Sequence, residues 1–212
     1  MKRKFFKNYV FGFRIDKKKT GNETAEESPS VGRRKGGFTM KQGFIQLYYG
    51  NGKGKTTAAM GQCLRAAGHG LQVGVVQFIK DGSSGELKAL QRLENVRLFS
   101  FIPDVTFTFA MTEEEKSAAH RFYTELLHTV DAASGELDVL LLDEVLDAVG
   151  SGLLGEDKLL AFLKDRPKGL EVLLTGRNPS PELIDLADYI SEVKLVRHPY
   201  QKGISAREGI EW

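Results

Sequence analysis

From Lys41 onward, short apolar runs alternate with segments whose apolar residues recur every three or four positions. The first pattern predicts strands and the second predicts helices. Strands are expected at residues 44–49, 73–79, 96–101, 137–143, 170–175 and 190–196. Residues 137–143 are apolar almost throughout, as in a strand buried on both faces. Helices are expected at 55–67, with Met60, Cys63, Leu64 and Ala67 on one face, and at 84–93 and 158–163. A long helix should open at Thr112, where Thr112 and Glu115 match a capping box. Its apolar stripe is Ala119, Phe122, Tyr123, Leu126, Leu127 and Val130. Another should run over 181–187, with Ser180 as N-cap and Pro181 at the first position. This alternation predicts an α/β fold, a mostly parallel sheet flanked by helices.

The pattern is absent before Lys41. Residues 17–37 are rich in Lys, Glu, Ser and Gly and read as a linker. Residues 1–41 are therefore expected to form a basic, flexible extension, and residues 42–212 the folded domain. Net charge is +2 over the chain, split as +8 in residues 1–42 and −6 in the rest. A basic tail can touch nucleic acid or anionic lipid, or stay solvated. No apolar run approaches the roughly 18 residues that span a bilayer. Lys7 and Asn8 interrupt the first apolar stretch and no small-residue cleavage site follows, which argues against a secretory signal. The single cysteine, Cys63, permits no internal disulfide and fits a reducing cytoplasm.

Between the first strand and the first helix lies Gly50-Asn51-Gly52-Lys53-Gly54-Lys55-Thr56-Thr57. Strand, Gly-rich loop and helix in that order form a phosphate-binding context. Glycines let backbone N–H groups converge on an anion, and the helix start adds its positive end. Lys55 supplies a compact charge, and the Thr56 hydroxyl can ligate a divalent metal. These features point to ATP with a metal ion; a Gly-rich turn that binds nothing is the plain alternative. The spacing departs from the usual pattern. Gly50 and Gly54 have three residues between them rather than four, Tyr49 stands at the usual first Gly, and Lys53 is an extra cation.

The apolar strand at 137–143 ends in Asp143-Glu144. In phosphate-loop proteins such an acid holds the metal directly or through water. The strand is expected beside the loop strand, with Asp147 as a weaker candidate one turn on. A helix cap or a surface acid is the structural alternative.

Three more segments complete the pattern: Gln77-Phe78-Ile79-Lys80, Leu173-Leu174-Thr175-Gly176-Arg177-Asn178, and the tail running from His198-Pro199-Tyr200 to Trp212. With the loop and Leu142-Asp143-Glu144, this ordered set resembles the phosphate-loop-type ATP:corrinoid (cob(I)alamin) adenosyltransferases of bacterial B12 synthesis, over about residues 42–212. The resemblance implies a RecA-like P-loop NTPase fold and a homodimer. It implies transfer of the 5′-deoxyadenosyl group of ATP to the cobalt(I) of a corrinoid such as cobalamin, with triphosphate as by-product. The family's nucleotide lies reversed in the loop. Mg²⁺ or Mn²⁺ is implied at Thr56 and Glu144, with Asp143 as the alternative ligand, and a flavoprotein as reductant. The family also sets aromatic residues below the corrin; Phe107 and Phe109, in Thr106-Phe107-Thr108-Phe109, match that segment, with Phe109 where the family often has Trp. An ordinary half-buried strand face is the other reading of those two residues.

Cobalt(I) is itself a nucleophile, so no general base is assigned. His69 lies in Gly-His-Gly and reads as a helix-ending turn. His120 and His128 read as solvated. His198 could approach the site or fix the tail, and Arg177 could contact phosphate or form a structural ion pair. Two rivals stand beside the transferase reading. One is another phosphate-loop small-molecule kinase or ATPase. The other is a nucleotide-regulated module that uses the basic segment on nucleic acid or membrane, a less favoured role.

Overall fold

The computed structural model describes residues 40–99 and 111–211. Residues 1–39, 100–110 and 212 lie outside the described residues, and with them Phe107, Phe109 and nearly all of the basic extension. The described chain runs β1 (Ile45–Tyr49), α1 (Lys55–Gly68), β2 (Val73–Gln77), α2 (Gly85–Leu90), β3 (Val96–Leu98), α3 (Glu113–Ala133), β4 (Val139–Asp143), α4 (Val145–Gly150), α5 (Glu156–Asp165), β5 (Glu171–Gly176), α6 (Pro181–Leu186) and β6 (Tyr189–Glu192). Its strands form one sheet in the order β3-β2-β4-β5-β1-β6, and every pair is parallel. This is the RecA-like α/β arrangement.

Side chains on a strand alternate between faces, so the central strands feed two cores at once. Val139 and Leu141 of β4, with Leu173 of β5, pack against Ala59, Met60, Cys63 and Ala66 of α1. Leu140 and Leu142, with Val172 and Leu174, pack on the opposite face against Tyr123, Leu127 and Val130 of α3 and Leu159 and Leu163 of α5. The long helix opens as expected: the Thr112 side chain accepts from the Glu115 N–H, and the Glu115 carboxylate accepts from the Thr112 N–H. Ser180 caps α6 by accepting from the Leu183 N–H, with Pro181 at the start of the helix.

Three expectations are corrected, and one element is added. The acid-tipped strand β4 is not beside the loop strand, because β5 lies between them. Periodicity reads burial, and β4 and β5 are both apolar enough to be central. Leu64 is 57% exposed rather than on the buried face of α1. The last strand ends at Glu192, and Val196 is 92% exposed, because the chain leaves the sheet to run over the phosphate loop. The short helix α4, which buries Val145, Leu146 and Ala148, was not expected at all. Among the described residues no helix is long and apolar enough to cross a membrane.

Cys63 sits at the heart of the α1 face, fully buried, and burial pushes its thiol up to about 12. Thiolate is the reactive form. In native protein at pH 8, thiol reagents should therefore label Cys63 only as fast as the fold opens. Addition of denaturant should release it at once; rapid labelling under native conditions would contradict this packing.

Candidate functional site

The phosphate loop starts where β1 ends. Gly50 and Gly54 have φ of 115° and 112°, a region that favours glycine. Gly54 is the N-cap of α1, so Lys55, Thr56 and Thr57 form the first turn, whose N–H groups have no intrahelical acceptor. Gly50 and Gly52 have a second task. A Cβ on Gly50 would lie 2.5 Å from the Val193 carbonyl oxygen, and one on Gly52 would lie 2.8 Å from Lys194 backbone. The Gly52 N–H donates to the Val193 carbonyl at 2.8 Å, and the Asn51 side-chain oxygen accepts from the Leu195 N–H at 2.9 Å. Two of the loop's glycines thus admit the segment that follows β6, and the Gly52 N–H faces that segment rather than an anion.

Lys55 folds back to donate to the Gly52 carbonyl at 2.9 Å. Partial burial pulls its ammonium pKa down, and the neighbouring Arg177 charge adds to this. Lys53 is exposed and carries a weak long-range influence on Glu211 of the tail. Glu211 itself is held down at about 2, chiefly by its hydrogen bonds with Arg207.

Asp143, at the tip of β4, is completely buried and is met from four sides. Its Oδ1 accepts from Thr56 at 2.9 Å and from Thr175 of β5 at 2.7 Å. Its Oδ2 accepts from Gln77 of β2 at 3.0 Å and from the Lys80 ammonium at 2.8 Å. A buried carboxylate requires this kind of full satisfaction. Thr175 also accepts from the Glu144 N–H at 2.8 Å. One hydroxyl on the intervening strand therefore ties both acids in place.

Glu144 follows in the left-handed region, with φ of 60°. Burial raises its carboxyl pKa most, Lys80 opposes this, and the Asp143 charge adds to it. The Lys80 Nζ lies 3.2 Å from Glu144 and 3.4 Å from the Thr56 hydroxyl. For Lys80, burial acts downward, but the two carboxylates outweigh it and its pKa is raised. Ile79, just before Lys80, also has positive φ, 52°, as does Asn178, 48°, beyond β5. Among the described residues these three are the non-glycine positions with positive φ, and all follow carboxyl ends of central strands. Backbone strain of this kind, about 1–3 kcal/mol per residue, collects at functional sites. Here the Ile79 N–H is held by the buried Tyr123 hydroxyl at 2.8 Å.

The expected residues thus separate. Thr56, Asp143 and Glu144 come together around Lys80. Asp147 does not join them; it lies 3.9 Å from Arg177, which is exposed, and burial raises its carboxyl pKa. His69 is the C-cap of α1. His120 and His128 are exposed, the former 3.2 Å from the Gly152 carbonyl. His198 caps the short turn Pro199–Lys202: its Nδ1 accepts from the Tyr200 N–H at 3.1 Å. Thr175, Gln77 and Lys80 had no individual role in the sequence-based reading. A polar residue at the end of an otherwise apolar buried strand is the signal that marks Thr175 and Gln77. As a test of fit for a divalent ion, Thr56, Asp143 and Glu144 are hard oxygen donors that already converge on one cationic nitrogen, the chemistry Mg²⁺ or Mn²⁺ needs.

A Gly-Lys-Thr-Thr loop on β1, separated by one strand from an acid-tipped β4, defines a phosphate-loop nucleotide-binding protein of RecA-like class. The model of the family "ATP:corrinoid adenosyltransferase BtuR/CobO/CobP" matches residues 41–212, and the chain belongs to that family. It is similar to the corrinoid adenosyltransferase of Pseudomonas aeruginosa, 34% identical over 177 residues, with 81% of this chain and 85% of that protein covered. The corrinoid adenosyltransferase of Escherichia coli K12 is 34% identical over 172 residues, covering 81% and 87%. Corrinoid adenosyltransferase CobA of Salmonella typhimurium matches with the same identity and coverage.

Replacing Thr175 with Val keeps the shape but removes the donor to Asp143 and the acceptor for Glu144. Unfolding in urea should show a loss of about 1–3 kcal/mol, the usual cost of an orphaned buried polar group, with Thr175→Ser close to wild type. Equal stability of the Val variant would remove Thr175 from the acid cluster.

Proposed function

We propose that this chain transfers the 5′-deoxyadenosyl group of ATP to the cobalt(I) of a corrinoid, in adenosylcobalamin biosynthesis or salvage. Family membership carries the reaction. The convergence of Thr56, Lys80, Asp143 and Glu144 at the phosphate loop supports the site. The cobalt(I) electron pair attacks C5′ of the ribose and forms the carbon–cobalt bond. The C5′–O bond breaks, and its electron pair leaves on triphosphate. No proton has to be removed from the nucleophile, so the protein's work is in-line positioning and charge neutralisation.

Lys53, Lys55 and the N–H groups of the first turn of α1 face the leaving triphosphate. Mg²⁺ or Mn²⁺ would be held by Thr56 and Glu144 and would supply charge neutralisation on the phosphates. Because both Asp143 oxygens already accept two hydrogen bonds each, Asp143 orients Thr56 rather than acting as the direct ligand. Phe107 and Phe109 are assigned to the lower face of the corrin, where they ease reduction of cobalt(II) by a flavoprotein. The sheet edge at Tyr189 and Ile190 and the tail residues Tyr200, Ile204 and Ile210 are exposed and apolar, which supports a homodimer.

Incubation with ATP, Mg²⁺ and chemically reduced cobalamin should produce the spectrum of a carbon–cobalt bond and one triphosphate per bond. ADP or orthophosphate as the product would instead indicate a kinase or ATPase. Lys55→Ala should lower turnover by at least 10²-fold, the scale for losing a group that stabilises developing charge; an active variant would take the loop out of the mechanism. Phe107→Ala should impair reactions started from cobalt(II) far more than those given cobalt(I). Equal losses in the two assays would contradict a role below the corrin.

A further inference from the structure

Lys80 occupies an unusual position for a lysine next to a phosphate loop. Its ammonium is engaged by the acids beside the loop. It lies 2.8 Å from Asp143, 3.2 Å from Glu144 and 3.4 Å from the Thr56 hydroxyl. Its side chain is 23% exposed, against 0% for Asp143. The placement is built. The Ile79 backbone is held in the left-handed region by the Tyr123 hydroxyl, and the Phe78 N–H donates to the Asp143 carbonyl at 2.9 Å. A β-branched residue takes that conformation only where its surroundings enforce it.

We propose that Lys80 is an internal counter-cation that closes the metal position until nucleotide arrives. The oxygens of Thr56 and Glu144 that suit a divalent ion are those within reach of the Lys80 ammonium. An ion bound to them at about 2.1 Å would face a second positive charge only a few ångströms away in a partly buried site. Free metal is therefore bound only weakly by the nucleotide-free protein. An incoming triphosphate gives the ammonium another set of anionic oxygens. Lys80 turns to it, and Thr56 and Glu144 are released to the metal that the nucleotide carries. Nucleotide and metal enter together. Lys80 is a positioning residue, and this role rests on the reading of the site as one for a metal–nucleotide complex.

The test begins with Mn²⁺ alone, added to the nucleotide-free full chain and followed by the electron paramagnetic resonance of the unbound ion. Wild type should bind weakly. Lys80→Met should bind at least tenfold more tightly, because two carboxylates are left without their cation, and Mn²⁺ should raise its melting temperature more than that of wild type. Lys80→Arg should restore weak binding. A Lys80→Met affinity equal to or below that of wild type overturns the proposal. If the Met variant does not fold, the wild-type Lys80 Nζ resonance, assigned by its absence in Lys80→Arg, decides the matter. It should shift when Mg²⁺ and ATP are added together and stay put with Mg²⁺ alone; a resonance indifferent to both additions overturns the proposal. Neither measurement involves a corrinoid. Failure to form a carbon–cobalt bond with these results intact would overturn the transferase reading and leave Lys80's role standing.

Discussion

A carboxylate with no contact with water sits at the centre of this sheet, and its four hydrogen bonds come from four separate stretches of chain. Thr56 reaches Asp143 from α1, Gln77 from the end of β2, Lys80 from the turn beyond it, and Thr175 from β5. Removing water from a charged group is costly, and these hydrogen bonds offset that cost. The two sheet neighbours of β4 and the phosphate helix are therefore held to one another by one residue. Thr56 and Lys80 are brought beside Glu144 by their contacts with Asp143. The strained backbone is held by side chains, Ile79 by the Tyr123 hydroxyl and Glu144 by Thr175.

Much of the fold was readable because it depends on local pattern. Alternating apolar runs and helical stripes reveal the elements, and Thr112 with Glu115 and Ser180 with Pro181 mark helix starts within a few residues. Strand order is different. Residues 139–143 and 171–176 are both buried throughout, so hydropathy places both centrally and says nothing about which adjoins β1. The intervening position of β5 became visible only in the assembled sheet. Leu64 erred for a related reason: its residue type suits a core, while its angular position on α1 faces outward.

The site divided along the same line. Gly50 to Thr57 and Asp143-Glu144 are contiguous stretches, so a sequence pattern can single them out, although Thr56 and Asp143 meet across 87 residues. Lys80 and Thr175 act through contacts across 63 and 32 residues of sequence. No spacing rule announces such a partner. Only a polar residue at the end of an apolar strand hints at it. The pairing of Asp147 with Arg177 is equally a matter of where α4, a helix the periodicity does not announce, places the side chain.

The segment beyond β6 gives the loop a wall made of late-synthesised chain. Asn51 and Leu195 are separated by 144 residues, yet their hydrogen bond and the packing of Val193 on Gly50 and Gly52 shape the loop's outer side. The eight-residue motif is therefore not a portable cassette. Grafted onto another strand and helix, Gly-Asn-Gly-Lys-Gly-Lys-Thr-Thr would keep its glycines and lose the surface those glycines were chosen to accommodate. During synthesis the loop leaves the ribosome early but gains its finished form only when the edge of the sheet closes beside it, so the loop's shape is a property of the completed sheet rather than of the motif alone.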